Sequence, residues 1–266
     1  MDRIGDYSVE REIRREDGAT TFKAVHAVLP RHAAVRVLSS ESKPVAVQML
    51  REACILEALS HPGVPRVFEC GVLTSTTNTS EKRPWVAMEL VEGPTLAELC
   101  REGPLGIAEL VIAIKTIAEV LEHAHGRGVI HQRLGEGVVI RTPQRHAAYT
   151  ITGWGGVGTR GSAANADQAR DVHALGTIAF RALTASPHTP TASARTSAPS
   201  APVELAELID DMLAPERRPS AGEVRERMVW LADTIVPRRT TQEMRPLVEP
   251  ADSTRQTTFS IRIHRG

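Results

Sequence analysis

Residues 107–125, IAELVIAIKTIAEVLEHAH, constrain the fold more than any other stretch. A helix of this length with one continuous apolar stripe must bury that stripe against several partners. The GRG that follows supplies the glycines that end it. What precedes it has another texture. Residues 7–38 carry two short strand-like runs, TTFKAVHAV and HAAVRVL, around a turn at LPRH. PVAVQMLREACILEALS, from residue 44 to 60, opens with proline at a helix-starting position and sets Glu52, Leu56 and Leu59 on one face. HPGVPRVFECGVL breaks that helix and resumes a strand, STTNTSEKRP is a polar turn, and WVAMELV is a buried strand. A strand-rich first third with one helix therefore precedes a helical remainder, which predicts an α+β small lobe joined to an α-rich large lobe.

Further elements fill out the second part. GVVIR and YTITGW are strand-like, and residues 155–166, GGVGTRGSAANA, are too small and polar for regular structure. DVHALGTIAFRALTA, VELAELIDDMLA and SAGEVRERMVWLADTI read as helices. The Pro/Ser/Thr/Ala tract at 184–202 reads as a mobile loop. Beyond 237 the chain turns polar, then closes on TTFSIRIHR, where Phe259, Ile261 and Ile263 alternate at strand period.

Bulk properties remove several functions. Lys+Arg and Asp+Glu balance at 32 each, so no global field draws nucleic acid or an anionic membrane. Aromatic residues make up 3%, too few for base-stacking platforms. Cys54, Cys70 and Cys100 lack metal-site spacing and read as reduced thiols. The opening MDRIGDYSVE has no apolar signal-peptide core, and Lys115 and Glu119 interrupt the longest apolar run far short of a membrane span. The expectation is a soluble cytoplasmic protein.

The order of these elements and the residues at their joints, from about Tyr7 to Trp230, resemble the bacterial Ser/Thr protein kinase domain. AAVRVL is similar to the V-A-[IV]-K strand, REACILEALSHPGV to the small-lobe helix and its turn, and VAMELVEGPTLAEL to the hinge, with Met88 as gatekeeper. VIHQRLGEGVVI resembles the H-R-D-L-x-x-x-N loop, TITGWGGV the D-F-G segment, and MLAPERRPSAGEV the closing helices. The resemblance implies a bilobal kinase-like fold, with a small lobe over 1–92, a large lobe over 93–236 and a polar tail over 237–266.

Kinase chemistry needs backbone amides over the phosphates, a lysine held by an acid, two metal-holding side chains and a catalytic aspartate. By the resemblance, RREDGATTF puts Arg14, Glu16 and Ala19 at the three glycine positions, and Glu16 and Asp17 would repel phosphate, so an ordinary hairpin turn reads better. Arg36 stands at the lysine position. It can pair bidentately with Glu52 and fix the small-lobe helix, or form a solvated pair of little worth. Arg133 occupies the aspartate position, Gly135 a lysine position, Val138 the asparagine position and Gly153 the metal-binding aspartate position. Neither Lys23 nor Lys115, as a substitute lysine, would restore a metal site. The resemblance thus implies a pseudokinase without catalytic or metal residues.

What is kept is structural. Ala34 and Ile140 match the apolar residues that sandwich adenine, so a vestigial nucleotide pocket of Ala34, Arg36, Met88 and Ile140 is expected, binding ATP without Mg²⁺ if it binds at all. Leu56, His131 and Trp154 match an internal apolar column, Asp171 the aspartate that holds the catalytic-loop backbone, and Arg218 a structural arginine whose usual glutamate partner has no counterpart. The loop then serves as a strut, with His131, Leu134 and Ile140 buried. His123, His125 and His131 read as packing residues rather than metal ligands. In the tail, Thr240, Thr241, Thr257 and Thr258 are phosphorylation candidates, and Thr258 with Ile261 resembles a forkhead-associated-domain ligand; FSIRIHR is alternatively a disordered end or an added sheet strand.

Three functions follow. The first is a signalling scaffold or allosteric regulator that binds protein partners, an active Ser/Thr kinase or a forkhead-associated-type domain among them. The second is an atypical phosphoryl or nucleotide transferase, a weak Ser/Thr kinase. The third is a metal-independent nucleotide sensor.

Overall fold

The computed structural model describes residues 2–16, 18–38, 43–74, 82–154, 158–159, 164–216 and 218–235. They fall in one compact unit, Met1–Val236; Pro237–Gly266 form a separate unit that lies outside the described residues.

The first part is a six-stranded antiparallel sheet. Its strands are β1 (Arg3–Ile4), β2 (Tyr7–Glu16), β3 (Ala19–His26), β4 (His32–Leu38), β5 (Val67–Thr74) and β6 (Lys82–Glu89), in the spatial order β1-β2-β3-β4-β6-β5. Helix α1 (Lys43–Leu59) crosses between β4 and β5. Strand alternation gives the sheet two apolar faces. One face gathers Ile4, Tyr7, Ala33, Val35, Val37 and Trp85, with the Tyr7 ring edge-on to Trp85 at 6.2 Å. The other gathers Ala19, Leu38 and Val86 beneath Met49 and Ala53 of α1. Glu52, Leu56 and Leu59, spaced at one helix face, are all buried.

The second part is helical: α2 (Leu96–Glu102), α3 (Ile107–Gly126), α4 (Ala164–Thr184), α5 (Ala194–Ser197), α6 (Val203–Leu213) and α7 (Ala221–Ile235). Strand pairs β7 (Val129–Ile130) with β10 (Gly158–Thr159), and β8 (Val139–Arg141) with β9 (Tyr149–Ile151), line its upper edge. Helix α3 runs through the centre and buries Leu110, Val111, Ile114, Ile117, Val120 and Leu121. Two helices start with a reciprocal cap. Thr95 and Glu98 exchange side-chain and backbone bonds at α2, and Ser220 and Glu223 do the same at α7. Helix α4 crosses α6 closely at Gly176, where a Cβ would lie 2.8 Å from Met212 Cβ.

Two expectations need correction. Residues 155–166 are not uniformly irregular: β10 pairs with β7, and α4 begins at Ala164, because its ANADQAR opening favours helix once the apolar stretch behind it is anchored. The tract at 184–202 is not a free loop. Ala194 is fully buried, Ala192, Ala198 and Ala201 pack on the large core, and Asp210 of α6 holds it. Ser193 Oγ donates to Asp210 Oδ2 at 2.7 Å and the Ala194 N–H to Oδ1 at 2.6 Å.

Candidate functional site

Alternation along β4 turns Val35 and Val37 into the upper core and Arg36 toward α1. Arg36 Nη1 donates to Glu52 Oε2 at 2.9 Å, with the arginine side chain 25% exposed and the glutamate 9%. This pair closes the inner end of a cleft of about 240 Å³ between sheet and helices. Ile13, Arg14, Thr21 and Ala34 line it from the sheet, Met88 to Val91 along the end of β6, and Gly137, Val138, Ile140, Thr152, Gly153 and Trp154 from the helical part. Ala34 and Met88 are register partners on adjacent strands, and Ile140 bridges to Thr95, so these apolar side chains are fixed by backbone pairing.

The segment between β7 and β8 is held by one buried carboxylate. Asp171 on α4, 1% exposed, accepts the His131 N–H and the Gln132 N–H, each at 2.8 Å. His125 Nε2 adds a third bond at 3.0 Å. The clamp holds Gln132 at φ +62°, a left-handed conformation that a non-glycine residue adopts only under constraint. His131 is fully buried; its Nε2 donates to the Thr152 carbonyl at 3.0 Å, and its ring meets Trp154 edge-on at 4.7 Å. Burial pushes its pKa below the ordinary histidine value. Trp154 Nε1 donates to the Ile151 carbonyl at 2.8 Å, and Leu56 joins Trp154 in the same core.

The four altered positions diverge from there. Arg133 is exposed and does not line the cleft. Val138 and Gly153 do line it, facing each other. Gly153 sits at φ +77°, and a Cβ there would lie 3.0 Å from Val138 Cγ1. The Thr152 N–H and Oγ1 both donate to the Val138 carbonyl, so backbone joins these two positions. Neither side chain offers an oxygen, and Mg²⁺ requires several in near-octahedral array. The carboxylates lining the cleft, Glu52 and Glu89, already pair with Arg36 and Arg145. These residues do not fit a magnesium site. Among the described residues, no three His, Cys, Asp or Glu side chains group as metal ligands. Ala34, Met88 and Ile140, by contrast, set apolar side chains along the cleft wall.

Other singled-out residues take structural places. Arg218 donates to the carbonyls of Met212 at 2.7 Å, Ala169 at 3.2 Å and Leu213 at 3.4 Å, so its fork is engaged by backbone. Lys23 pairs with Glu92 at 2.8 Å, and Lys115 lies on α3 outside the cleft lining. His123 bonds the Leu59 carbonyl and Arg127. Leu134 and Ile140 are half-buried rather than buried, since one packs at the rim of the core and the other faces the cleft. Cys54 and Cys70 are exposed free thiols and Cys100 a buried one. Sequence reasoning missed Ile13 and Thr21: Thr21 pairs with Arg14 and Arg36 on the cleft face, and Ile13 reaches the cleft at a register irregularity in β2 that nothing in the sequence marks. The side chain of Glu16, Asp17, the tail threonines and the 259–263 strand lie outside the described residues.

No family model matches the chain. It is similar to the serine/threonine-protein kinase PknJ of Mycobacterium tuberculosis, 30% identical over 129 residues, which is 47% of this chain and 21% of that protein. It is also similar to PknA of the same organism, 31% identical over 153 residues, 56% of this chain and 35% of that protein. The matches thus span about a fifth to a third of the length of these relatives. The kinase domain of Mycobacterium tuberculosis PknI superposes with a TM-score of 0.64 at 22% identity, covering 86% of this chain and 96% of that one. The chain therefore has the α+β, bilobal protein-kinase-like fold and is a domain like those of bacterial Ser/Thr protein kinases. Among the described residues, no helix is long and apolar enough to cross a membrane.

Proposed function

We propose that this domain does not transfer phosphoryl groups and acts as a pseudokinase, a signalling scaffold or allosteric regulator that works by binding protein partners. The observation that carries this reading is the facing pair Val138 and Gly153, which the resemblance sets at the two metal-holding positions and which brings no side-chain oxygen to the cleft. Arg133 supports it, since an exposed guanidinium cannot accept a proton from a substrate hydroxyl. Each tenfold loss of rate corresponds to about 1.4 kcal/mol, so the absence of base and metal ligands together leaves little transition-state stabilisation. The test is incubation with radiolabelled ATP and Mg²⁺ or Mn²⁺, with and without a general protein substrate. No incorporation above a protein-free blank is expected. Incorporation that a bulky Ala34→Phe change abolishes would establish an atypical kinase instead.

A second reading is favoured by the retained slot of Ala34, Met88 and Ile140: metal-independent purine nucleotide sensing, in which the base props the lobes together. A melting-temperature rise with ATP that is the same in EDTA as in Mg²⁺ supports it, and no rise in either sinks it. As partners we propose an active Ser/Thr kinase or a forkhead-associated-type domain that reads phosphorylated Thr258. Pull-downs from the native host with and without residues 237–266 test this, a partner retained only by the longer chain being the expected result.

A further inference from the structure

A second cavity, of about 420 Å³, shares one wall with the cleft. Residues 64–66 alternate across that wall: Val64 and Arg66 face the second cavity while Pro65 lines the cleft. Glu89, at the end of β6, lines both. The rest comes from the turn after α1, which carries His61, and from the turn between β8 and β9, which carries Arg145. The cavity's one carboxylate is already held. Arg145 grips Glu89 bidentately, at 2.5 Å to Oε1 and 3.1 Å to Oε2, while also donating to the Pro62 carbonyl at 3.0 Å. The Arg66 backbone N–H adds a third bond to the carboxylate, at Glu89 Oε2, at 3.2 Å. With Arg145 and Glu89 cancelling, the net charge is that of the Arg66 side chain. That side chain is 76% exposed, and its nearest carboxylate oxygen lies 3.9 Å away. His61 lines it as well. Its Nδ1 accepts the Gly63 N–H at 3.0 Å, and burial holds its pKa below the ordinary histidine value. Buried Val64 gives an apolar floor.

We infer that this cavity behind the hinge is a recognition site for one oxyanion-bearing side chain of a protein partner, a phosphorylated residue or an Asp/Glu, with Arg66 as the counter-charge. A cationic group would meet Arg66 and find no carboxylate to spare. An oxyanion meets Arg66 in the fork geometry that guanidinium offers phosphate and carboxylate. The site stands apart from the proposed loss of phosphoryl transfer: binding here is read directly, whatever an ATP assay returns.

The experiment is a titration of the full ¹⁵N-labelled chain with Nα-acetyl-phosphoserine amide and, separately, with Nα-acetyl-glutamate amide. It follows the backbone signals of Val64, Arg66, Gln144, Arg145 and His146. Saturable shifts confined to this set are expected, with at least tenfold weaker binding in Arg66→Ala and unchanged binding in Arg101→Ala, an exposed arginine on α2. Arg66→Lys should recover part of the loss. The stronger of the two probes identifies the source of the oxyanion. Absence of saturable shifts with both probes overturns the proposal, as does equal binding by Arg66→Ala or shifts scattered over all exposed arginines.

Discussion

Two neighbouring parts of one loop have opposite character. At His131 and Gln132 the backbone is clamped by two hydrogen bonds to the buried carboxylate of Asp171, which also takes a bond from His125. One residue later Arg133 is exposed, and five residues beyond it Val138 packs close against Gly153, neither side chain carrying an oxygen. Loss of a buried acceptor leaves orphaned N–H groups, a cost borne by every molecule that folds. Loss of a metal-binding side chain at a cleft wall costs nothing in folding. Under the function proposed above, the frame of such a loop persists without its chemistry, since packing enforces one and function alone enforces the other.

The contrast breaks if the clamp proves dispensable. Asp171→Ala should destabilise the domain by about 4 kcal/mol or more, because two backbone N–H groups and His125 lose their acceptor. Urea unfolding measures it, and a loss below about 1 kcal/mol would remove the clamp from the account. Trp154→Ala should cost about 3 kcal/mol by opening a cavity beside His131 and Leu56. Arg36→Ala comes next, at about 1–2 kcal/mol, since its partner is buried but Arg36 itself is partly solvated. A double-mutant cycle with Glu52→Gln isolates the pair, and a coupling near zero would return it to the class of solvated surface contacts.

Acid should act more gently. Burial holds His131, His61 and His173 below the ordinary histidine value of 6.5. As pH falls through that value the unfolded chain takes up protons that the folded one refuses. Stability is present above it and declines toward the lowered folded values. The melting temperature should thus fall between about pH 7.5 and about pH 5.5, less steeply in His131→Phe, and a flat profile would contradict the assignment. The smallest effect belongs to Arg133→Ala, which should change stability by less than about 0.5 kcal/mol.

Much of this was legible in the sequence because local periodicity and burial agree. The stripe of α3 and the face shared by Glu52, Leu56 and Leu59 each declare themselves within a few residues, whereas the joints of the His131 loop were read through the resemblance. Asp171 was legible only through the resemblance, since nothing nearby says which backbone it will hold. The tract at 184–202 misled for a physical reason. Its packed residues are alanines, whose small side chains carry little apolar signal among prolines, serines and threonines, and its tether, Asp210, comes from the helix that follows. The cavity behind the hinge was illegible for a similar cause, being assembled from turns around His61 and Arg145 and the end of a strand at Glu89.

The tether at Asp210 bears on how the protein should be handled at the bench. Low-complexity stretches rich in proline and serine are commonly trimmed to ease crystallisation. Cutting out residues 186–201 here would pull Ala194 from the interior and strand the Asp210 carboxylate beside bare apolar surface. A protease should spare that stretch as well, and a shortened chain should emerge less soluble than the one it replaced.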